Sequence, residues 1–497
     1  MLRNTSCEQL DLFQHIEYHR IPKNHILLRI DSEISLSFVN DLLADKYHKT
    51  FGRPAWKPEI MVRIGILQKM YDLSDEAVID EIAVNRACEY FCHLSPMDEL
   101  PHPSSLCKFR KMRLDENIMD DILTEMVRQM LDKGIIKKES GIIIDSTHIK
   151  ANTIKKVPER LMEHMAKNIF REEALKKGLT DEEAAEDVKN KASELPRWEE
   201  YQDHSAAKAD MKKALEDVIE HSDPSLDSVK EAREVLDSDL FIEQKGIRSL
   251  QDKEARVGRK DHTTSFFGYK NEFMMTEEGI ITGLIIQPGN YRDGDKYKEL
   301  LELTQKAGIE PNSAYGDKAY CRPDVLGELK KRNIPAYIPL SHSAYRINEE
   351  LFTYNKDSDT WTCIHGNESG IGKKKKKETK KGISWQIDYG FERECCRSCP
   401  YRQECIGKKR AVAKKLSIGT SITELYEHSQ FTKSATFLEH YKVRARIEPK
   451  NAEMKRFHGM DRADGFGLKS VRLQATFVAI AVNLKRMDVI NQQKKAG

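Results

Sequence analysis

The stretch GIIIDSTHIKANT, residues 141–153, places an aspartate directly after a short apolar run. Gly141 to Ile144 is apolar and β-branched, which is typical of an interior strand in a parallel or mixed sheet. No turn residue follows the run, so we expect the carboxylate of Asp145 to lie at the end of this strand, close to the core. A carboxylate there is costly unless it is paired, hydrogen-bonded or bound to a cation. Asp145 is therefore either a structural residue that caps the turn at Ser146-Thr147 or one member of an acidic site.

Length and composition limit the class of protein. The 497 residues predict about three domains, and 39% hydrophobic with 33% charged residues indicates a globular chain rich in charged helix surface. No apolar run approaches the roughly 18 residues of a membrane span, and the first residues lack the apolar segment of a secretion signal. We expect a cytoplasmic protein with no membrane partner. Its ten cysteines should then stay reduced, so that a cluster of them points to metal binding.

The net charge of +2 conceals a strong asymmetry along the chain. Residues 181–240 hold 19 Asp/Glu against 8 Lys/Arg, whereas residues 406–497 hold 19 Lys/Arg against 8 Asp/Glu. A basic C-terminal fifth in a nearly neutral chain favours a polyanion as partner, and nucleic acid is the commonest one. An ordinary basic surface would give the same count.

The first 133 residues are predicted to form a helical region. Residues 1–35 read as extended and irregular, with HILLRI (25–30) as a possible short strand. From 35 to 133 helical periodicity dominates, with Pro58 at a helix start and Ser74 as an N-cap. Short helices with tight connections, together with the basic helix start at 102–113, permit a DNA-reading motif, although most helical bundles bind no DNA.

After residue 153 the predicted sheet is interrupted by a charged segment. Residues 155–250 are almost wholly charged and helical, which predicts an inserted helical hairpin. Strand patterns resume at 264–276 and 279–289 and should pair as a hairpin around residues 277–279. A helix, a strand, a helix and a strand follow, which predicts a mixed α/β layer structure.

Further acids occur in comparable settings. Asp317, in SAYGDKAY, also ends a predicted short strand. Over residues 439–460, read as one helix, four polar side chains stand at offsets of 0, +3, +7 and +14 and therefore share one face: Tyr441, Arg444, Glu448 and Lys455. A solvated face with an Arg444–Glu448 ion pair is the alternative, and spacing alone does not decide between the two.

These residues resemble the signature of a known family. The run from Tyr441 to Lys455 resembles the Tyr-Arg-Glu-Lys signature of DDE transposases from bacterial insertion sequences, with Asp145 and Asp317 similar to the first two catalytic acids. FFGYK (266–270) and PGNYRDGD (288–295) resemble segments between those acids, and parts of the N-terminal half resemble insertion sequence family 1182. The chain departs from the family near Asp464, where relatives carry more arginine.

The resemblance implies an α/β fold with a ribonuclease H-like mixed-sheet catalytic domain. It implies catalysis by Asp145, Asp317 and Glu448, which would hold two Mg²⁺ or Mn²⁺ ions, with Asp145 bridging them. It also implies a set of DNA-binding residues, to which Lys270 in FFGYK is added: Tyr441, Arg444, Lys455 and Lys270. The expected partners are double-stranded DNA, as terminal inverted repeats and target, and a second copy of the chain in a DNA-bound homodimer.

The implied domain organisation follows the chain. It comprises a helical N-terminal DNA-binding region (1–133), a catalytic core (134–154 and 251–344), a charged helical insertion (155–250), a cysteine-rich insertion (345–410) and C-terminal helices that carry the third acid (411–497). The implied function is cleavage of the element's ends and strand transfer into target DNA. A nuclease without strand transfer, or a non-catalytic DNA-binding descendant of a transposase, are the alternatives.

The cysteine cluster ECCRSCPYRQEC, residues 394–405, predicts a structural zinc site. Cys396 and Cys399 have the spacing of a zinc knuckle, Cys405 follows, and Cys363 fits best as the fourth ligand. His365 and Cys395 are the reserve ligands, and reduced thiols without metal are the alternative. The lysine-rich stretch 366–377 lacks the spacing of a phosphate-binding loop and is interpreted as a flexible basic loop. His148 is interpreted as structural.

Overall fold

The structure is a computed structural model that describes residues 18–48, 51, 54–95, 98–237, 248–260, 263–341, 345, 347–379, 382–406 and 411–496. The prediction for residues 1–17 therefore lies outside the described residues. The N-terminal region is helical, as predicted. Its helices are α1 (Ile26–Glu33), α2 (Phe38–Leu42), α3 (Pro58–Met70), α4 (Asp75–Val84), α5 (Arg86–Phe91), α6 (Pro103–Met112) and α7 (Glu116–Asp132).

Local capping signals place two of these helices correctly. Pro58 occupies the first turn of α3. Ser74 precedes α4, and its hydroxyl accepts a hydrogen bond from the Ala77 backbone N–H at 3.1 Å, so the predicted N-cap is confirmed. Both residues supply what a helix start requires, since four backbone N–H groups there lack partners within the helix.

The predicted short strand at HILLRI is wrong, because these residues begin α1. Leu27 and Ile30 are three residues apart and are both buried in the same core cluster. Residues three apart point to opposite faces of a strand but to the same face of a helix. Helix formation therefore buries both side chains at once.

Strand β1 (Glu139–Lys150) is followed by the helical insertion. The predicted hairpin is wrong in its number of helices, since capping residues such as Thr180 and Asp203 divide the described part of this segment into four α-helices. The helices enclose a small core of their own, which includes Met165, Met211 and Leu215. They are α8 (Pro158–Lys176), α9 (Asp181–Ala192), α10 (His204–His221) and α11 (Asp227–Asp237).

The remaining strands of the central sheet lie beyond the insertion. They are β2 (Arg256–Arg259), β3 (Ser265–Thr276), β4 (Ile281–Pro288), β5 (Glu310–Tyr315) and β6 (Ala336–Tyr337). The sheet order is β2-β3-β1-β5-β6, and β4 also pairs with β3. The β3–β4 and β1–β3 pairs are antiparallel, whereas β1–β5 and β5–β6 are parallel. The predicted hairpin and the mixed sheet are thus confirmed. Helices α12 (Tyr297–Lys306) and α13 (Pro323–Lys331) lie between the later strands.

The cysteine-rich segment adds two small sheets. One is the hairpin of β7 (Phe352–Asn355) and β8 (Thr360–Cys363). The other has the order β11-β10-β9, from β9 (Lys373–Thr379), β10 (Gly382–Gly390) and β11 (Lys415–Gly419), with α14 (Arg393–Arg397) and α15 (Arg402–Ile406) between β10 and β11. The flexible loop predicted for 366–377 is therefore wrong: Lys373–Lys377 form a strand because β10 supplies backbone partners along the whole run.

The C-terminal elements complete the molecule. They are α16 (Ile422–Thr432), α17 (Ala435–His440), a 3-10 helix (Tyr441–Arg446), α18 (Ile447–Phe457) and α19 (Gly467–Ala496). Apolar residues of α19, such as Val478 and Ala481, share one core with the N-terminal helices and one face of the central sheet. The N-terminal region is thus packed onto the sheet domain. Among the described helices, none combines the length and apolarity that crossing a membrane requires.

Candidate functional site

Asp145 and Asp317 occupy equivalent positions on neighbouring strands. The parallel pairing of β1 with β5 ends at Ile143 opposite Tyr315. Asp145 lies two residues beyond Ile143, and Asp317 lies two residues beyond Tyr315. Parallel strands bring their carboxyl ends to the same edge, so both aspartates stand at the place where this ladder opens.

The prediction that β1 itself ends at Asp145 is wrong. The strand continues to Lys150, because β3 pairs with it as far as Lys150 opposite Gly268. Asp145 is therefore held in a regular strand, opposite Phe273, and has lost a strand partner only on its β5 side. A long-range partner, which local periodicity does not reveal, determines where the strand stops.

Asp145 is largely buried and is contacted by three donors. Its Oδ1 accepts the Ser146 backbone N–H at 2.9 Å, and its Oδ2 accepts Asn451 Nδ2 at 3.1 Å. The Arg444 guanidinium lies 3.6 Å from Oδ2. Burial raises the pKa of Asp145 to about 6, although Arg444 and the Ser146 N–H lower it; Asp317 and Asp293 add to the rise. The carboxylate is thus incompletely compensated in the protein alone.

Arg444 joins the third acid to the first. Its Nη1 donates to Glu448 Oε1 at 2.9 Å, while Nη2 faces Asp145. The side chain of Glu448 is 66% exposed, so this acid is the one most open to a ligand from solvent. The guanidinium thus bridges two carboxylates from elements that are about 300 residues apart in the chain.

The prediction of one continuous helix over 439–460 is wrong. Tyr441 and Arg444 belong to the 3-10 helix, whereas Glu448 and Lys455 belong to α18. Pro449 explains the change, because proline lacks a backbone N–H and its ring clashes with the carbonyl four residues earlier in an α-helix. Residues three apart are eclipsed in a 3-10 helix, so Tyr441 and Arg444 still share one side.

The phenol of Tyr441 lies within electrostatic reach of all three acids. Burial raises the pKa of its phenol, and Arg444 opposes that rise. Three carboxylates raise the pKa further: Asp317, Asp145 and Glu448. One side chain is therefore within electrostatic reach of the whole acidic set, which the sheet and the C-terminal helices bring together from three parts of the chain.

The structure places the two predicted DNA-binding lysines against His148 and Asp293. The Lys455 ammonium lies 3.3 Å from His148 Nδ1, and burial lowers its pKa to about 8, with Lys260 and Lys150 nearby lowering it too. Lys270 is paired with Asp293 at 2.9 Å. His148 also packs against the ring of Phe266, at 5.0 Å between centroids.

Sequence reasoning assigned no role to three residues of this region. Asn451, three residues after Glu448, could have been found from helical spacing. Asp293 lies in the quoted segment PGNYRDGD and acts electrostatically on Asp145. Glu272 is 1% exposed and accepts the Gly294 N–H at 2.6 Å. Burial raises its pKa to about 7. No local signal marks Glu272, since only the sheet buries it.

The predicted zinc ligands line one cavity. Cys363, Cys396, Cys399 and Cys405 all border it. Gly366 closes a turn after Cys363, donating its N–H to the Cys363 carbonyl at 2.8 Å with φ +77°. The Lys414 N–H donates to Cys396 Sγ at 3.5 Å.

The reserve ligands His365 and Cys395 line the same cavity, and each also contacts another side chain. Cys395 Sγ lies 3.7 Å from Glu392 Oε2, and the His365 ring packs on Tyr401 at 4.5 Å. Within the described ranges, no three His, Cys, Asp or Glu side chains already have the arrangement of a formed metal site. This holds for the cysteines and for the acids.

Two domain families match this chain. A transposase domain (DUF772) matches residues 15–112, and a transposase DDE domain matches residues 362–488, a range that contains Glu448. A curated relative, the uncharacterized protein ORF8 in the nfe locus of Rhizobium meliloti, is 29% identical over 109 residues, or 20% of this chain. The chain spans about half the length of that relative. The two domain matches support a DDE transposase.

Proposed function

We propose that this chain is a DNA transposase that cleaves the ends of an insertion sequence and joins them to target DNA. The observation that carries the proposal is the convergence of three acids: Asp145 and Asp317 at equivalent positions, and Glu448 tied to Asp145 through Arg444. The strand order supports a ribonuclease H-like core, with an antiparallel half and a parallel half meeting at β1. The finer kinship that we propose is with insertion sequence family 1182.

The acids fit a pair of Mg²⁺ or Mn²⁺ ions. Carboxylate oxygens are the hard ligands that these ions prefer. Asp145, Asp317 and Glu448 would hold the ions. Two such ions, when bound, activate the attacking oxygen and stabilise the leaving oxygen of an in-line phosphodiester displacement. The raised pKa of Asp145 supports this fit, since a buried carboxylate without full compensation favours an added cation.

The basic residues would position the DNA strand. In the protein alone, Arg444 compensates Asp145 and Glu448. With cations held by these carboxylates, the Arg444 guanidinium would be available to a backbone phosphate, which it can hold through two parallel hydrogen bonds. Lys455, in the same helix as Glu448 and next to His148, would hold a second phosphate. Tyr441 borders the same site. Lys270 would give up its ion pair with Asp293 in order to bind DNA.

A second copy of the chain completes the proposal. Joining two ends of one element requires two active sites, so we propose a homodimer on paired terminal repeats. The acidic insertion repels DNA over its surface and suits a subunit contact. A nuclease without strand transfer would use the same acids, whereas a non-catalytic descendant has no need to retain all three.

The test is a cleavage and joining assay. The substrate is a supercoiled plasmid carrying the DNA that flanks this gene, with Mg²⁺ and a target plasmid. Asp145→Asn, Asp317→Asn and Glu448→Gln should each abolish end cleavage and joining while leaving DNA binding largely intact. Glu439→Gln, an exposed change in α17, is the matched control. Near wild-type cleavage by Glu448→Gln would contradict the assignment, and cleavage without joining would favour the nuclease.

We also propose a structural zinc ion held by Cys363, Cys396, Cys399 and Cys405. Burial raises the pKa of Cys405, Lys414 lowers it, and the other three thiols add to the rise. Cys405 is thus within electrostatic reach of the other three thiols. Binding requires them to move closer together, and the Lys414 backbone N–H, which donates to Cys396 Sγ, would stabilise a thiolate there.

A further inference from the structure

Strand β9 carries five consecutive lysines, Lys373–Lys377, all of them exposed. It is the edge strand of its sheet, since β10 pairs with one side of it and no described strand pairs with the other. Successive side chains of a strand point to opposite faces, so both faces of this edge carry positive charge. None of these lysines belongs to the acidic site or to the cysteine cavity.

An exposed tryptophan lies on the neighbouring strand. Trp385 of β10 is opposite Lys376 in the register and is 51% exposed. The Lys374 ammonium lies 5.2 Å from the centroid of its ring. An indole presented among ammonium groups offers a flat apolar surface beside anion-binding groups, and such a surface can contact both the phosphates and the sugars of a nucleic acid backbone.

Lys375 and Lys376 contact carboxylates, and the side chains of both remain about half exposed. Asp388 is 5% exposed and takes Lys375 at 3.5 Å together with Lys415 at 2.7 Å. Glu378 lies 3.8 Å from Lys376 and is itself 81% exposed, so solvent screens that contact. Lys373 and Lys374 add two more exposed ammonium groups.

Protection of a sheet edge does not account for this surface. Natural edge strands carry charged side chains, lysine above all, that prevent strands of other molecules from pairing with them. Five lysines in a strand of seven residues exceed that need. A half-exposed Trp385 beside them works against it, because exposed aromatic surface promotes association.

The sheet that carries these lysines shares a hydrophobic core with strand β1. Tyr389 of β10 and Trp361 of β8 are fully buried in a core that they share with Ile142 and Ile144 of β1. Ile144 immediately precedes Asp145. The lysine strand is therefore attached to the back of the acid-bearing strand through one continuous core.

We propose that Lys373, Lys374, Lys376 and Trp385 form a second DNA-binding surface, outside the acidic site, that grips the backbone of double-stranded DNA. The lysines contact phosphates, and Trp385 packs against the sugar and base edge. The inference deepens the proposed transposase function and rests on it for the identity of the DNA.

The test measures binding of fluorescein-labelled duplexes, one with the proposed terminal repeat and one unrelated, at several salt concentrations. The variant is Lys373→Gln, Lys374→Gln, Lys376→Gln, which spares Lys375 because Asp388 holds it. Each phosphate contact contributes about 0.9 to the slope of log affinity against log salt, so the slope should fall by about 2 to 3. Affinity at 0.15 M salt should fall about tenfold or more for both duplexes.

A matched control removes the same charge elsewhere. Lys177, Lys189 and Lys213 are exposed in the acidic insertion, and their replacement by Gln should leave the slope unchanged. Trp385→Phe should abolish most of the fluorescence quenching that DNA causes in the wild-type protein. Should the triple variant fold poorly, the same question is answered in wild-type protein by protection of the three lysines from acetylation on DNA binding.

Three results would overturn the inference. Equal slopes for the lysine variant and the control, with normal cleavage, would remove this surface while leaving the transposase proposal intact. A change in oligomeric state with unchanged DNA affinity would assign the surface to a second copy, whose acidic insertion could cover it. Failure of the wild-type chain to bind any duplex would overturn both proposals.

Discussion

Asn451 donates a hydrogen bond from Nδ2 to Asp145 Oδ2 at 3.1 Å across 306 residues of sequence. The bond joins α18, which carries Glu448, to the strand that carries the first acid. Because Asn451 has no charge, it orients the carboxylate without competing with a cation for it. The acids thus depend on a positioning residue that the Tyr-Arg-Glu-Lys spacing does not include.

Replacement of Asn451 should impair cleavage through metal use. Residues that orient metal ligands typically contribute about 10–100-fold to metal affinity or activity. Asn451→Ala should therefore raise the Mg²⁺ concentration for half-maximal end cleavage by about tenfold, with DNA affinity nearly unchanged. Glu453→Gln, two residues away and paired with Lys450, is the control. An Mg²⁺ dependence identical to wild type would remove Asn451 from the site.

Neutralising Asp145 should stabilise the metal-free protein while it abolishes cleavage. Burial penalises the charged form of this carboxylate, as its raised pKa indicates. Asp145→Asn removes that cost and keeps the shape of the side chain, so its Tm in EDTA should exceed that of wild type. Mg²⁺ should raise the Tm of wild type but not of the variant. A lower Tm for the variant in EDTA would show that Arg444 compensates the charge fully.

His93 should make stability depend on pH. Burial lowers its pKa, but hydrogen bonds to Asp31 and Glu59 outweigh burial and raise it above 6.5. A raised pKa means that the stabilisation is complete below pH 6.5 and is lost as the pH rises through the folded-state value. Relative to His93→Asn, the wild-type Tm should be highest near pH 5–6 and should fall toward the variant's at higher pH.

Asparagine is the suitable replacement, because His93 has φ +53° and Asn tolerates that conformation well. At low pH, the stability of the protein is limited by protonation of Glu59. Despite burial, hydrogen bonds from His93 and Arg63 lower its pKa to about 2, so its contribution is present above pH 4.5 and is lost toward pH 2. A Tm difference that does not vary with pH would contradict the proposed ionic role of His93.

Gly65 should not tolerate a side chain. A Cβ there would lie 2.7 Å from the ring of Phe477, where α3 packs against α19. Gly65→Ala should lower the free energy of unfolding by about 1–3 kcal/mol, measured by urea denaturation. Gly327→Ala in α13 is the control, since its Cβ would meet nothing within 4 Å. That change should be neutral or stabilising by up to about 1 kcal/mol.

The zinc proposal predicts different effects for the replacement of two nearby cysteines, Cys399 and Cys395. Cys399→Ser should lose the metal and lower the Tm of the cysteine-rich segment, while the Mg²⁺ dependence of cleavage is retained. Cys395→Ser should keep the zinc, because Cys395 interacts with Glu392 instead. Protein purified without chelator should contain about one zinc per chain. Less than a tenth of an equivalent in folded, active protein would be incompatible with the proposal.

The sequence by itself determined the features that depend on near neighbours. Pro58 and Ser74 mark helix starts because the unpaired N–H groups that they serve lie within one turn. The β3–β4 hairpin was predictable because Gly279, at φ +88°, closes a short turn between two apolar runs. Pro449 is also a local signal for the helix break. The interpretation of residues 439–460 as one helix overlooked it.

Only the tertiary structure decided what depends on distant partners. β1 extends past Asp145 because β3 pairs with it, and the lysines of 373–377 form a strand because β10 does. Asp145 and Asp317 are 317 − 145 = 172 residues apart and meet through the β1–β5 ladder. Residue type and resemblance identified these acids, but strand pairing assembles them, since local periodicity records which face of an element is apolar and not which element will cover it.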